Sequence, residues 1–139
     1  VFEEAAQTAA QTLVVPICVL GIVEADREWF KSAIGLSRLG LMNELATSRQ
    51  LPRQDAFSTY VVDSQQIVLI EDTLNHPVFA NSILAYQYGV RAYMGAPLMT
   101  STGICVGALS VLDTTPRSFT QQDIEFLQLT ARWCMSEYE

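Results

Sequence analysis

The chain has 139 residues, half of them apolar, and a formal charge of −7. That is about one domain's worth, with enough apolar side chains for a core without disulfide staples. The acidic balance, with Lys31 the single lysine, argues against a nucleic-acid surface or an anionic membrane surface. No apolar run reaches the roughly eighteen residues of a membrane-spanning helix, and no signal peptide is visible. Helical patterns open and close the sequence, so it reads as a single domain, 1–139, excised from a longer multidomain protein.

Residues Phe2 to Leu13 place Phe2, Ala5, Ala6, Ala9, Ala10 and Leu13 on one helical stripe, and the alanines permit close approach to whatever lies beneath. Pro16 ends that helix, and Ile17–Val23 is a fully apolar strand. Glu24 to Arg27 form a polar turn, after which Trp29–Ile34 is expected to pair back on the first strand. By the period of two, Trp29 and Lys31 face one side and Phe30 the other. The next stretch is weakly patterned. Leu39, Leu41, Met42, Leu45 and Ala46 suggest a short helix near Leu41–Ser48, and Asp55 could cap another over Phe57–Val62. Ile67–Ile70 is a short strand, Asn75-His76-Pro77 a turn, and Asn81–Tyr88 a further helix.

Tyr88 to Asp113 carries two apolar strands joined by the turn Thr100-Ser101-Thr102-Gly103. Neither strand alternates cleanly, which places this hairpin in the middle of a sheet covered on both faces. After Pro116-Arg117, Thr120 and Asp123 form a T-x-x-D capping box, with Phe119 and Ile124 where a hydrophobic staple stands. The helix that follows has one seam at Ile124, Leu127, Ala131, Cys134 and Tyr138 and another at Phe126, Leu129 and Trp133. Two seams imply two partners, the second being another copy of the chain or the first helix. Short, mostly hairpin connections make the whole an α+β domain with an antiparallel sheet.

In order along the chain, DREWFKS (26–32), AFSTY (56–60), HPVFA (76–80), GVRAYMGAPL (89–98), GALSVLD (107–113) and PR (116–117) resemble a GAF domain. The similarity is to GAF domains upstream of bacterial histidine kinases and diguanylate cyclases, above all those of cyanobacterial sensor kinases. It implies a central antiparallel sheet of five or six strands, with terminal helices on one face that form a homodimer. Short helices and loops roof a small-molecule pocket on the other face. It further implies a cytoplasmic, non-catalytic sensory domain of a histidine kinase in a two-component system, with a C-terminal output domain in the same chain. The alternatives are a ligand-free dimerisation scaffold, a cysteine-based redox sensor, or a methionine sulfoxide reductase.

Covalent bilin binders of this superfamily carry a Cys-His pair where Ala80 and Asn81 stand here, so no thioether forms at that position. Relatives with Cys and His in the AFSTY segment, or Cys at the position of Ser110, are matched here by Ser58, Tyr60 and Ser110. The Asn-Lys-Phe-Asp-Glu motif of cyclic-nucleotide binders is missing, and the cofactor stays open. The ligand-binding candidates are Ser58, Tyr60, Arg91, Tyr93 and Ser110, since a few convergent polar groups on an apolar wall line a typical small-molecule pocket. Arg91 could instead pair with Glu71 or Asp72.

Cys18, Cys105 and Cys134 stand in apolar runs with no C-x-x-C spacing and no zinc signature. They read as buried reduced thiols, with Cys18 and Cys105, expected on neighbouring strands, as the redox candidates. His76, the single histidine, has no partner that would make it an acid–base catalyst and reads as a turn residue.

Overall fold

The first stripe forms as its spacing dictates: α1 runs Phe2–Leu13, and its buried residues are Ala5, Ala6, Ala9, Ala10 and Leu13. A computed structural model describes residues 2–36 and 43–138. The described residues form six strands, of which the third is not marked by the sequence pattern: β1 (Ile17–Val23), β2 (Arg27–Ile34), β3 (Gln50–Pro52), β4 (Val68–Ile70), β5 (Ala92–Met99) and β6 (Cys105–Asp113). They form one sheet in the order β3-β2-β1-β6-β5-β4, antiparallel throughout. The central pair is β1 and β6 rather than the hairpin strands β5 and β6 expected in the middle, and β5 stands one place further out beside the short edge strand β4. Pro97 lies on β5 beyond the reach of β4, which pairs with β5 only from Tyr93 to Gly95.

The sheet divides the core in two. On one face α1 and the C-terminal α5 (Gln121–Tyr138) pack over Cys18, Leu20, Met94, Ala96, Leu98, Leu109 and Val111. On the other, Ile17, Val19, Phe30, Tyr93, Ala108 and Leu112 lie beneath three short helices and their connections. These helices are α2 (Asn43–Ser48), α3 (Ser58–Ser64) and α4 (Ile83–Tyr86).

The start of α5 is the expected reciprocal box. The Asp123 N–H donates to Thr120 Oγ1 at 3.1 Å and the Thr120 N–H to Asp123 Oδ2 at 2.9 Å. Its first seam is buried at Leu127, Ala131 and Cys134, while Leu129 (58 % exposed) and Trp133 (42 %) of the second face outward. Phe126 is half-buried against the helix-side core, and the Tyr138 side chain lies outside the description.

The roof departs from expectation in three places. Asp55 does not cap α3; it sits within a 3-10 turn, Arg53–Asp55, and the N-cap position is Phe57, without a side-chain cap. The Thr59 hydroxyl instead donates to the Arg53 carbonyl at 2.6 Å, tying the turn to the helix. The helix expected over Asn81–Tyr88 is split into a 3-10 turn, Phe79–Asn81, and the single turn of α4, because the Ser82 hydroxyl accepts from the Ala85 N–H and starts a new cap. The helix expected near Leu41–Ser48 is seen from Asn43; Leu39, Leu41 and Met42 lie outside the described residues. Among the described residues no helix is long and apolar enough to cross a membrane.

Candidate functional site

Beneath the roof lies a cavity of about 30 Å³, walled by apolar side chains of β1, β2, β3, β6 and the short helices. Among the described residues four polar ones enter it: Glu28 from β2, Ser58 from α3, Tyr93 from β5 and Ser110 from β6. All are buried, none more than 4 % exposed. The Ser58 hydroxyl donates to Glu28 Oε2 at 2.6 Å. The Tyr93 hydroxyl lies 2.7 Å from Ser110 Oγ and 3.5 Å from Ser58 Oγ. The result is a continuous relay, carboxyl to hydroxyl to phenol to hydroxyl, across an otherwise apolar pocket floor.

Two glycines make the relay possible. A Cβ on Gly21 would overlap the Glu28 carboxyl, so the carboxyl rests on β1 where that strand has no side chain. A Cβ on Gly95 would overlap the Tyr93 hydroxyl, so the Tyr93 ring lies back along its own strand. Gly95 is the cross-strand partner of Ser110, which is how that hydroxyl arrives at Ser110. Phe57 closes the other side, edge-on to Tyr93 with ring centres 5.1 Å apart.

Burial pushes the Glu28 carboxyl up to about 7, only partly opposed by the Ser58 hydrogen bond. An ionised carboxylate in apolar surroundings has lost its hydration, so its proton is held more tightly. The Tyr93 phenol is pushed up as well, first by burial and then by the nearby Glu28 charge. These four groups can accept and donate hydrogen bonds to a small ligand, and Glu28 can change charge near neutral pH.

The expected site residues divide cleanly. Ser58, Tyr93 and Ser110 meet in the cavity. Tyr60 does not: it is 42 % exposed and packs edge-on against Phe79 in an outer groove. Two residues along α3 from Ser58, it points to the opposite side of the helix. Arg91 does not line the cavity either. Its Nε and Nη2 donate to the two carboxylate oxygens of Asp72, both at 3.0 Å, the structural pairing that the sequence left open between Asp72 and Glu71. That bidentate pair holds the Asp72 carboxyl below its usual range.

The redox candidates do not meet. Cys18 stands opposite Val111 on β6, six residues from Cys105 and about 20 Å along the strand. Burial pushes the Cys18 thiol up to about 12 and that of Cys134 up to about 11, and raises Cys105 too. Such thiols are poor nucleophiles. His76 is a turn residue whose Nδ1 accepts from the Val78 N–H at 3.3 Å. Among the described residues no group of His, Cys, Asp and Glu could hold a metal ion.

Glu28 is the site residue that the sequence reading passed over. It falls between an expected turn and an expected strand. Yet it shares the parity of Phe30, so extending the strand by two residues puts a carboxyl on the apolar face.

A six-stranded antiparallel sheet with two helices on one face and short helices over a cavity on the other defines an α+β domain. The GAF domain family model matches residues 1–137, and the chain belongs to the GAF family. It is 32 % identical over 138 residues to a cyclic di-GMP phosphodiesterase of Pseudomonas aeruginosa, spanning 98 % of this chain but only 22 % of that protein's length. Solved structures share the fold at lower identity. A type II free methionine-R-sulfoxide reductase from Thermoplasma acidophilum superposes with a TM-score of 0.75 at 15 % identity, covering 96 % of this chain and 86 % of that one. A domain assigned to a two-component sensor histidine kinase of Sinorhizobium meliloti 1021 does so with a TM-score of 0.72 at 18 % identity, covering 99 % and 88 %.

Proposed function

We propose that this GAF domain is a non-catalytic sensory module: a small molecule bound in the Glu28–Ser58–Tyr93–Ser110 cavity biases the packing of α1 and α5, and α5 passes that bias to an output domain. The relay carries this reading. Four buried polar groups on one wall of a core cost stability that apolar residues of the same volume would not, which is the signature of a site kept for binding. A ligand shifts the helices only as far as it binds the two packings unequally. The output is a histidine kinase in the reading that DREWFKS and the paired β5–β6 strands support. The curated relative makes cyclic di-GMP hydrolysis the rival, and phosphotransfer or hydrolysis assays on the full-length protein separate the two.

Native mass spectrometry and an absorption spectrum of freshly purified protein, followed by a thermal-shift screen of small metabolites, test the sensing role. A co-purifying molecule or a saturable shift that Ser110→Leu abolishes is the expected result. A protein that carries nothing and responds to nothing overturns it. The outcome would then favour a second reading, a ligand-free dimerisation scaffold, which the small size of the cavity supports.

In both readings the chain is a homodimer through its terminal helices, since Leu129 and Trp133 expose apolar surface on α5. Sedimentation of Trp133→Glu is expected to show monomer, and an undisturbed dimer would refute the helix interface. Cysteine chemistry finds no support in three buried thiols whose proton affinity is raised.

A further inference from the structure

Glu28 is a buried carboxyl with no ion-pair partner among the described residues, although the fold places basic side chains nearby. Arg27 is held by Glu24 and Gln50, and Arg49 donates to the carbonyls of Phe30 and Lys31. Arg53 pairs with Asp63, Arg91 with Asp72 and Arg117 with Asp113. Lys31 sits over the Phe2 ring on the helix side of the sheet, and Arg132 is exposed on α5. Of the described residues lining the cavity from β1, β2, β3, β5, β6 and the short helices, only Glu28 and Tyr93 titrate. Among the described residues the site therefore presents a potential negative charge, three hydroxyls and an apolar wall, without a positive charge to complete it.

We propose that the cavity binds a small organic cation, with a protonated amine or amidine head against the Glu28 carboxylate and an apolar body reaching past Phe57 toward Tyr60 and Phe79. Because Ser58 spends its proton on Glu28, its lone pairs face the head as acceptors, and the Tyr93 and Ser110 oxygens offer more. An anionic ligand would meet repulsion from the ionised carboxylate in a low-dielectric pocket. A cation instead restores the charge balance that burial denies Glu28, and pulls its proton off near neutral pH.

The cavity's 30 Å³ takes the head alone. A larger body enters past Phe57, which walls this cavity and also lines the outer groove, about 210 Å³, beside Tyr60 and Phe79.

This inference rests on the sensing role, and three probes of matched shape separate the two. Benzylammonium, benzyl alcohol and benzoate are titrated into the protein by NMR at pH 6, 7 and 8, with methylammonium as the head alone. Benzylammonium is expected to shift the Glu28, Ser58 and Tyr93 resonances saturably. Its affinity should rise about tenfold from pH 6 to pH 8 as the ionised fraction of Glu28 grows from roughly one-tenth to nine-tenths. Glu28→Gln, which keeps the shape and resembles the protonated acid, should retain its fold and lose that affinity at least tenfold.

Benzoate or benzyl alcohol binding as well as the amine, or an amine indifferent to Glu28→Gln, would overturn the cation and leave the sensing role standing. Absence of binding by all probes together with an empty mass spectrum would overturn both. Arg38 lies outside the described residues. A Glu28 titration that sits well below 7 and rises in Arg38→Gln would show the charge to be neutralised within the chain, and would also overturn the cation.

Discussion

The two faces of the same sheet are built to different rules. On the helix face, four buried alanines of α1 and the Leu127–Ala131–Cys134 seam of α5 bring backbones close over Cys18, Leu20, Met94 and Leu109, and the buried Thr130 of α5 returns its hydroxyl to the Phe126 carbonyl. On the pocket face, large rings and a carboxyl stand over glycines, and a cavity remains among them. The first arrangement is what maximal burial and dense packing produce. The second gives up part of that stabilisation to keep polar groups in place. Without reference to any relative, the contrast marks the pocket face as the one to probe for a use beyond stability.

The contrast has opposite signs under mutation, and that is how it can be broken. Leu127→Ala on the helix face is expected to cost about 4 kcal/mol, because the side chain is fully buried where the seam cannot collapse. Urea unfolding checks it, and a loss under about 1 kcal/mol would mean that this face is loosely packed.

Glu28→Gln on the pocket face should instead stabilise the protein, and only at higher pH. The folded-state value of Glu28 is raised from 4.5 to about 7. Its proton is thus bound more tightly when folded. Stability is fully present below about 4.5 and is lost as the pH rises toward and through about 7. The wild type should therefore fall by about 3 kcal/mol between pH 4.5 and pH 8 relative to Glu28→Gln. Parallel melting curves across that range would show Glu28 to be solvated or already paired.

Tyr93→Phe tests the relay at its least costly link. It removes the hydroxyl shared with Ser110 and leaves the ring against Phe57. A loss of about 1 kcal/mol is expected. A gain in stability would sharpen the comparison further, placing Tyr93 with Glu28 among groups that the fold carries for another purpose.

Much of the framework is legible one residue at a time. The spacing of Ala5, Ala6, Ala9, Ala10 and Leu13 predicts a helix whose bounds the structure reproduces. The unbroken run at Ile17–Val23 predicts a strand, and Thr120-x-x-Asp123 predicts a cap that forms with both its bonds. These are local properties, set by backbone periodicity and by groups within one turn of each other.

The site was legible in part. Ser58, Tyr93 and Ser110 could be marked as pocket hydroxyls, but Tyr60 could not be separated from Ser58 without the direction of α3, nor Arg91 from the wall without the Asp72 fork. The separation of Cys18 from Cys105 is a matter of ladder register, which the apolar runs of β1 and β6 do not encode because every residue in them is acceptable on either face.

By itself the sequence determined five of the six described strands, the two terminal helices, and that the sheet is antiparallel and buried on both sides; β3 and the split of the roof helices were not marked. Tertiary structure alone decided that Glu28, written between a polar turn and an aromatic strand, is a buried acid rather than a solvated one. The reason lies across the ladder. Its carboxyl occupies the space that Gly21 leaves empty, under a roof from which Ser58 supplies the hydrogen bond. Neither neighbour is within reach along the chain, so the charge state of that group belongs to the fold.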